Sequence, residues 1–196
     1  MSMAVITSDP DQQKHWTAAE LRAIPDDRNR YEIVDGELLV TPAPVFSHQR
    51  LVVQIFRHLD RYLSGTSIGE LVISPADIEL ADDTVVQPDV FVVPLVDGVR
   101  PRNWRDVTGL LLAIEVLSPS TARADRTVKR RRYQREGVPE YWIVDGDARV
   151  VERWRPEEER PEMMSDWLEW QPDQSVAALA IDVAKLFTDA LGPSLG

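Results

Sequence analysis

The sequence predicts a mixed α/β fold, α+β in its detail, with a central mixed β-sheet flanked by helices and entered through an N-terminal hairpin. Three observations carry this. Short apolar runs of strand length are interspersed with segments of helical spacing, in the order helix, hairpin, helix, several strands, helix, hairpin. The run from Leu110 to Leu117 is apolar at every position but Glu115, as suits a central strand buried on both faces. A basic segment of helical spacing then leads to another strand, the layout of a crossover unit.

Each element has a local reason. Residues 1–16 read as a flexible terminus. Thr17-Ala18-Ala19-Glu20 forms a capping-box signature that starts a short helix, stopped near Ile24 by Pro25. Tyr31 to Val34 and Leu38 to Val40 flank Asp35-Gly36, a dipeptide suited to the positive φ angles of a tight hairpin. Ser47 can cap a long helix to Leu63, whose apolar positions Leu51, Val52, Ile55, Phe56, Leu59, Tyr62 and Leu63 pack one face on the sheet. Leu71 to Ile73, Asp77 to Leu80 and Val90 to Val93 read as strands, with Asp82-Asp83 a turn. A helix is expected to begin between Ser118 and Asp125 and to end at Gly137, with Pro139 beyond as a stop. Tyr141 to Val144 and Val150 to Trp154 form a last hairpin around Asp145-Gly146-Asp147. The domain is expected over 17–154. Residues 155–196 should extend it, as an exposed acidic loop to Asp166 and a C-terminal strand and helix, with Ile181 to Ala190 amphipathic.

Bulk properties narrow the chemistry. The 196 residues suit one domain. The absence of cysteine excludes disulfides, thiolate metal sites and a cysteine nucleophile, leaving carboxylates and three histidines as ligands. Oxygen ligands suit a hard cation such as Mg2+ or Mn2+. No apolar run is long enough to span a bilayer and Met1 to Ile6 lacks the pattern of a secretory signal, which predicts a soluble, cytoplasmic protein without a membrane partner. No glycine-rich phosphate loop occurs, which counts against a nucleotide cofactor, and Ser118 lacks the glycine framing of a nucleophile elbow.

The net charge of -11 argues against a surface that grips nucleic acid everywhere. The charge is uneven. Arg123, Arg126, Lys129, Arg130, Arg131, Arg132 and Arg135 lie between Ala122 and Arg135 against Asp125 alone, so a polyanion could dock there; a solvated cationic helix face is the plainer account of the same residues.

Two carboxylates stand out. Glu115 lies inside an apolar strand, where desolvation demands a compensating cation, and Asp89 enters the strand Val90 to Val93 directly behind Pro88. If these strands are neighbours, both acids can share one hard cation; a salt bridge or a strand-end cap explains either acid alone equally well. Asp125, Lys129 and Tyr133 follow at intervals of four on one helix face, which lets Lys129 face the acids and meet an attacking water or a phosphate. Spacing alone fits an ordinary Asp125–Lys129 surface pair better, worth a few tenths of a kcal/mol (about 0.2–0.5). Glu37, just after the hairpin turn, is a candidate third acid, and His48 at a helix start a candidate phosphate contact or proton-transfer group, although an exposed turn glutamate and a polar cap are the commoner readings.

Taken in order, Tyr31-Glu32-Ile33-Val34-Asp35-Gly36-Glu37-Leu38, Val86-Gln87-Pro88-Asp89, Ile114 to Thr121, Asp125 through Lys129 to Tyr133, and Gly137 to Asp145 resemble a large bacterial family of restriction endonucleases within the PD-(D/E)XK nuclease superfamily. The resemblance runs from Thr17 to Trp154. It implies a restriction-endonuclease-like fold with a magnesium site, in which Asp89 and Glu115 are the two metal-binding acids and the carbonyl of Val116 a further ligand. The superfamily normally places its lysine two residues after the second acid, where this chain has Leu117; the resemblance implies that Lys129 takes that role from the following helix. Glu37 matches an acidic position of the family.

The expected function is a Mg2+-dependent endonuclease that hydrolyses DNA phosphodiesters through a metal-activated water. Catalysis falls to Asp89, Glu115, Lys129 and Glu37, and nucleic-acid binding to Arg123, Arg126, Arg130, Arg131 and His48. A homodimer would supply the two sites that cutting both strands requires. The alternative is a nucleic-acid-binding or regulatory module that keeps the fold without efficient cleavage.

Overall fold

Turn chemistry and alternation fix the first layer. The structure is a computed structural model describing residues 14–193 except Asp26 and Arg28; most of the terminus expected to be flexible, up to residue 13, lies outside the described residues. Thr17 closes the capping box with Glu20 at the head of α1 (Ala18–Leu21), a helix shorter than expected. The strands β1 (Arg30–Val34) and β2 (Glu37–Thr41) meet at Asp35 and Gly36, with φ of 50° and 79°. Both angles lie in the left-handed region, where aspartate and glycine are tolerated. β1 also pairs with β5 (Thr84–Val86), and β5 with β4 (Ile78–Ala81), giving a four-stranded antiparallel sheet in the order β2-β1-β5-β4. Three residues are too few to show a period, so β5 is an addition to the sequence reading.

The central sheet is mixed. Its order is β10-β9-β8-β7-β6-β3, built from β3 (Gly69–Ile73), β6 (Val90–Pro94), β7 (Leu112–Val116), β8 (Tyr141–Asp145), β9 (Val150–Trp154) and β10 (Glu162–Met164). Only β7 and β8 run parallel. They are joined through a helical rod over 122–135, in which α3 (Ala122–Ala124), a π-helical turn (Asp125–Lys129) and α4 (Arg130–Arg135) follow without a break. This is the expected crossover.

Period-two alternation then sorts the sheet's two faces. Val90, Val92, Leu112, Ile114 and Val116 pack with Leu51, Val52, Ile55, Leu59 and Leu63 of α2 (Phe46–Leu63). Phe91, Val93, Ala113 and Ile143 pack on the other side, against Tyr133 of the rod and Val34 and Val86 of the small sheet. By the same alternation Asp89 and Glu115 fall on that second side.

The C-terminal part differs from expectation. The stretch from Arg155 to Asp166 is not all exposed loop, because Glu162–Met164 adds to β9 as β10, and Arg153 forms an ion pair with Glu162. A hairpin of β11 (Trp167–Trp170) and β12 (Leu179–Asp182) follows, then α5 (Val183–Leu191). The helix begins two residues after Ile181 because Asp182 caps it, accepting from Lys185 N at 2.8 Å. Leu168, Trp170, Ile181, Val183, Leu186 and Phe187 belong to the same core as α2 and the central sheet. Trp170 stands edge-on to Trp142, their centroids 6.3 Å apart.

A buried acid cluster as candidate active site

The register of β6 and β7 brings the two conspicuous acids together. Val90 pairs with Ile114, so one step further Asp89 stands across from Glu115. Asp89 Oδ2 accepts from Val116 N at 2.9 Å, which locks the strand entrance to β7. His48 Nε2, from the first turn of α2, lies 3.1 Å from the same oxygen.

β1 adds a third acid. Arg30, Glu32 and Val34 share one face, the face turned to the central sheet. Glu32 Oε1 accepts from Gln87 N at 2.7 Å, tying β1 to the segment just before Asp89. The rod supplies Lys129, whose Nζ lies 2.9 Å from Glu32, 3.0 Å from Glu115 and 3.2 Å from Asp125. Tyr133, one turn on, donates to the same Glu115 oxygen at 3.4 Å. Arg30 NH1 donates to Asp89 Oδ1 at 2.9 Å, and its NH2 lies 3.7 Å from Glu32 and 3.9 Å from Glu115. Glu32, Asp89, Glu115, Asp125 and Lys129 are all 5 % exposed or less. All but Asp125 border a cavity of about 550 Å³ whose wall includes Arg30, His48, Ser118, Ser120 and Thr121.

Electrostatics follow from this crowding. Four carboxylates face two permanent cations, Arg30 and Lys129. Burial, reinforced by Asp125, Asp89 and Glu32 against the pull of Lys129, pushes the Glu115 carboxyl well above the ordinary range. Burial also raises Asp125. For Asp89, burial is outweighed by the His48 hydrogen bond, Arg30 and the Val116 amide, and its carboxyl is held at about 2. Burial works against the Lys129 ammonium, but Glu115, Glu32 and Asp125 hold it protonated well above the ordinary value.

The donor set fits a hard divalent cation in charge and in chemistry. With all four acids ionised, their charge beyond that of Arg30 and Lys129 would equal that of one such ion. Glu115 Oε1 takes the lysine and tyrosine contacts while Oε2 accepts no hydrogen bond. The N–H and C=O of a strand residue point the same way, so the Val116 carbonyl leaves β7 on the side of Asp89. Among the described residues, no three His, Asp or Glu side chains stand as a ready cage, because Arg30 and Lys129 reach between the acids.

Several expectations need correction. Asp125 and Lys129 are a buried pair, not a surface one. Lys129 was expected to meet water or phosphate, yet each of its three protons has a carboxylate to take it. Glu37 stands exposed at the turn end of the hairpin, beside Val34 and away from Arg30, and borders no part of the cavity. Its place as third acid is filled by Glu32. Four arginines of the basic rod make contacts within the protein. Arg126 pairs with Asp145 and Glu152, Arg132 and Arg135 with Asp35, and Arg130 lies 4.5 Å over the Trp154 ring. Arg123 and Arg131 are exposed, and Arg123, Arg126, Arg130 and Arg131 all lie outside the cavity wall. His48 is within it.

Residues 18–184 match the Uma2 family, described as "putative restriction endonuclease". The chain belongs to this family. The Uma2 match spans every residue of the acid cluster. No curated protein matches the chain. Among solved structures, a protein described as "a putative nuclease belonging to DUF820" from Anabaena variabilis ATCC 29413 is 17% identical, with a TM-score of 0.72 over 90% of this chain and 99% of that one. At this identity the likeness establishes the fold, which is restriction-endonuclease-like. This Uma2 chain therefore has the architecture of a nuclease family. Among the described residues no helix is long and apolar enough to cross a membrane.

Proposed function

We propose that the chain is a divalent-metal-dependent endonuclease acting on DNA phosphodiesters in the cytoplasm, with Asp89 and Glu115 as the metal-holding acids. The carrying observation is that these two carboxylates, from facing positions of adjacent strands, border one cavity together with Glu32, Arg30 and Lys129. Mg2+ or Mn2+ would be held there by Asp89, Glu115 and the Val116 carbonyl. When bound, such an ion polarises a phosphoryl oxygen and acidifies a water. The chain's own groups prepare the place. His48 and the Val116 amide fix the Asp89 carboxylate, Lys129 and Tyr133 fix Glu115, and Gln87 fixes Glu32. A homodimer would present two sites to a duplex.

The reading is tested with supercoiled plasmid and with short duplex and single-stranded DNA in Mg2+ and Mn2+. Asp89→Ala and Glu115→Ala should each reduce cleavage by at least about 100-fold. They should also abolish any metal-dependent rise in melting temperature. Equal cleavage by both variants and the parent would mark a contaminant and sink the proposal. One observation favours a second reading, a nucleic-acid-binding module without efficient cleavage: the acids are already engaged by Arg30 and Lys129. DNA binding with no cleavage in either metal would select it.

A further inference from the structure

Three basic side chains border the cavity, and they differ in what their nitrogens do. The three protons of Lys129 face three carboxylates, and its side chain is 2 % exposed. His48 places Nε2 on Asp89 and leaves its other ring nitrogen, Nδ1, buried without a partner, a single atom where Arg30 leaves two in one plane. Arg30 spends only NH1, on Asp89 Oδ1. Its Nε and NH2 are buried and have no hydrogen-bond partner, although the side chain as a whole is 23 % exposed on the cavity wall.

Those two atoms form one edge of the guanidinium fork. Two parallel N–H donors on a rigid plane match two oxygens of a phosphate, which a lysine ammonium cannot reproduce. Leaving both unfilled in a buried place is costly, and such orphans call for a partner. The edge also lies beside the reacting region, since NH2 is within 4 Å of Glu32 and Glu115 while NH1 anchors the plane on Asp89. A phosphate held against Asp89 and Glu115 would lie beside this guanidinium, whose buried edge would have to turn toward the cavity to meet it.

We infer that Arg30 is the cation that grips the scissile phosphate, and that Lys129 is a positioning residue that holds Glu32, Glu115 and Asp125 without touching substrate. This rests on the nuclease reading and departs from the expectation of a phosphate-facing lysine. Arg30 stabilises charge growing on the non-bridging oxygens as the attacking water adds and the leaving oxygen departs.

The test compares the full chain with Arg30→Lys, which keeps the charge but loses the fork, and with Arg30→Gln. Two readouts are taken in Mg2+: kcat/KM on a short oligonucleotide and calorimetric titration with inorganic phosphate. Arg30→Lys should keep a cooperative melt and the metal-dependent thermal shift. It should lose about 100-fold or more in kcat/KM and about tenfold or more in phosphate affinity. Phosphate affinity in Arg30→Lys within about threefold of the parent overturns the inference, whether or not the parent cleaves. A parent that binds phosphate through Arg30 and cleaves nothing upholds the phosphate site while the nuclease reading fails. Should both variants unfold, the Arg30 Nε–H resonance of the parent supplies the answer: it shifts on phosphate addition if the inference holds and stays in place if it does not.

Discussion

An ammonium shared by three carboxylates cannot be removed without exposing all three to each other. Lys129→Met keeps the length and most of the volume of the side chain while leaving Glu32, Glu115 and Asp125 buried and unpaired. Breaking a buried ion pair from one side costs about 3–5 kcal/mol. Lys129→Met should therefore lose at least about 3 kcal/mol in urea unfolding at neutral pH. A loss below about 1 kcal/mol would show that the lysine is not the counter-ion of the cluster. Asp89 gives a prediction of a different kind. Its folded carboxyl sits at about 2, below the ordinary 3.8, so it stabilises the fold above the unfolded value and that stabilisation is lost as pH falls through the folded one. Measured without metal, the stability gap between the parent and Asp89→Asn should narrow by about 2 kcal/mol between pH 5 and pH 2. Glu115 and Asp125, whose carboxyls are raised, contribute with the opposite sign, so the difference between the two proteins is the quantity to follow.

At the scale of elements, legibility in the sequence tracked how local the cause was. The Asp35-Gly36 turn, the capping box at Thr17, the apolar run holding Glu115 and the rod carrying Lys129 all have their reasons within a few residues. Asp89 could be named because its strand announces itself. Glu32 is legible by the reasoning applied to Glu115, since it too interrupts an apolar strand, whereas Glu37 follows the turn and stands exposed at the far end of the hairpin. The partners of the basic rod were not legible. Asp35, Asp145 and Glu152 reach it through pairings set by the whole sheet, and such pairings leave no trace in local spacing. The strands β5 and β10 have three residues each and carry no period. The C-terminal hairpin and α5 looked peripheral, yet they cover α2 and the central sheet. A chain ending at residue 154 strips Leu168, Trp170, Ile181 and Phe187 from that core. Burial of a large apolar side chain contributes about 1.5–3 kcal/mol, so such a chain should show no cooperative thermal transition and should bind a hydrophobic dye. A sharp melt in the truncated protein would refute this.

For the whole molecule, the acid cluster draws on segments far apart in the chain. Arg30 and Glu32 come from β1, His48 from α2, Asp89 from the entrance of β6, Glu115 from β7 and Lys129 from the rod. The net charge of -11 and the internal pairing of the rod's arginines leave few cations to hold a polyanion at long range, which concentrates affinity in the cavity itself.

The parallel pairing of β7 with β8 has a consequence in time. A parallel pair forms only after its crossover is made, and pairings between distant segments slow folding. On a ribosome, Glu32 emerges about a hundred residues before the lysine that holds it, and the strand beside Glu115 emerges later still. Glu32 must wait in solvent for its ammonium. The site is therefore finished only once the crossover that carries Lys129 is in place.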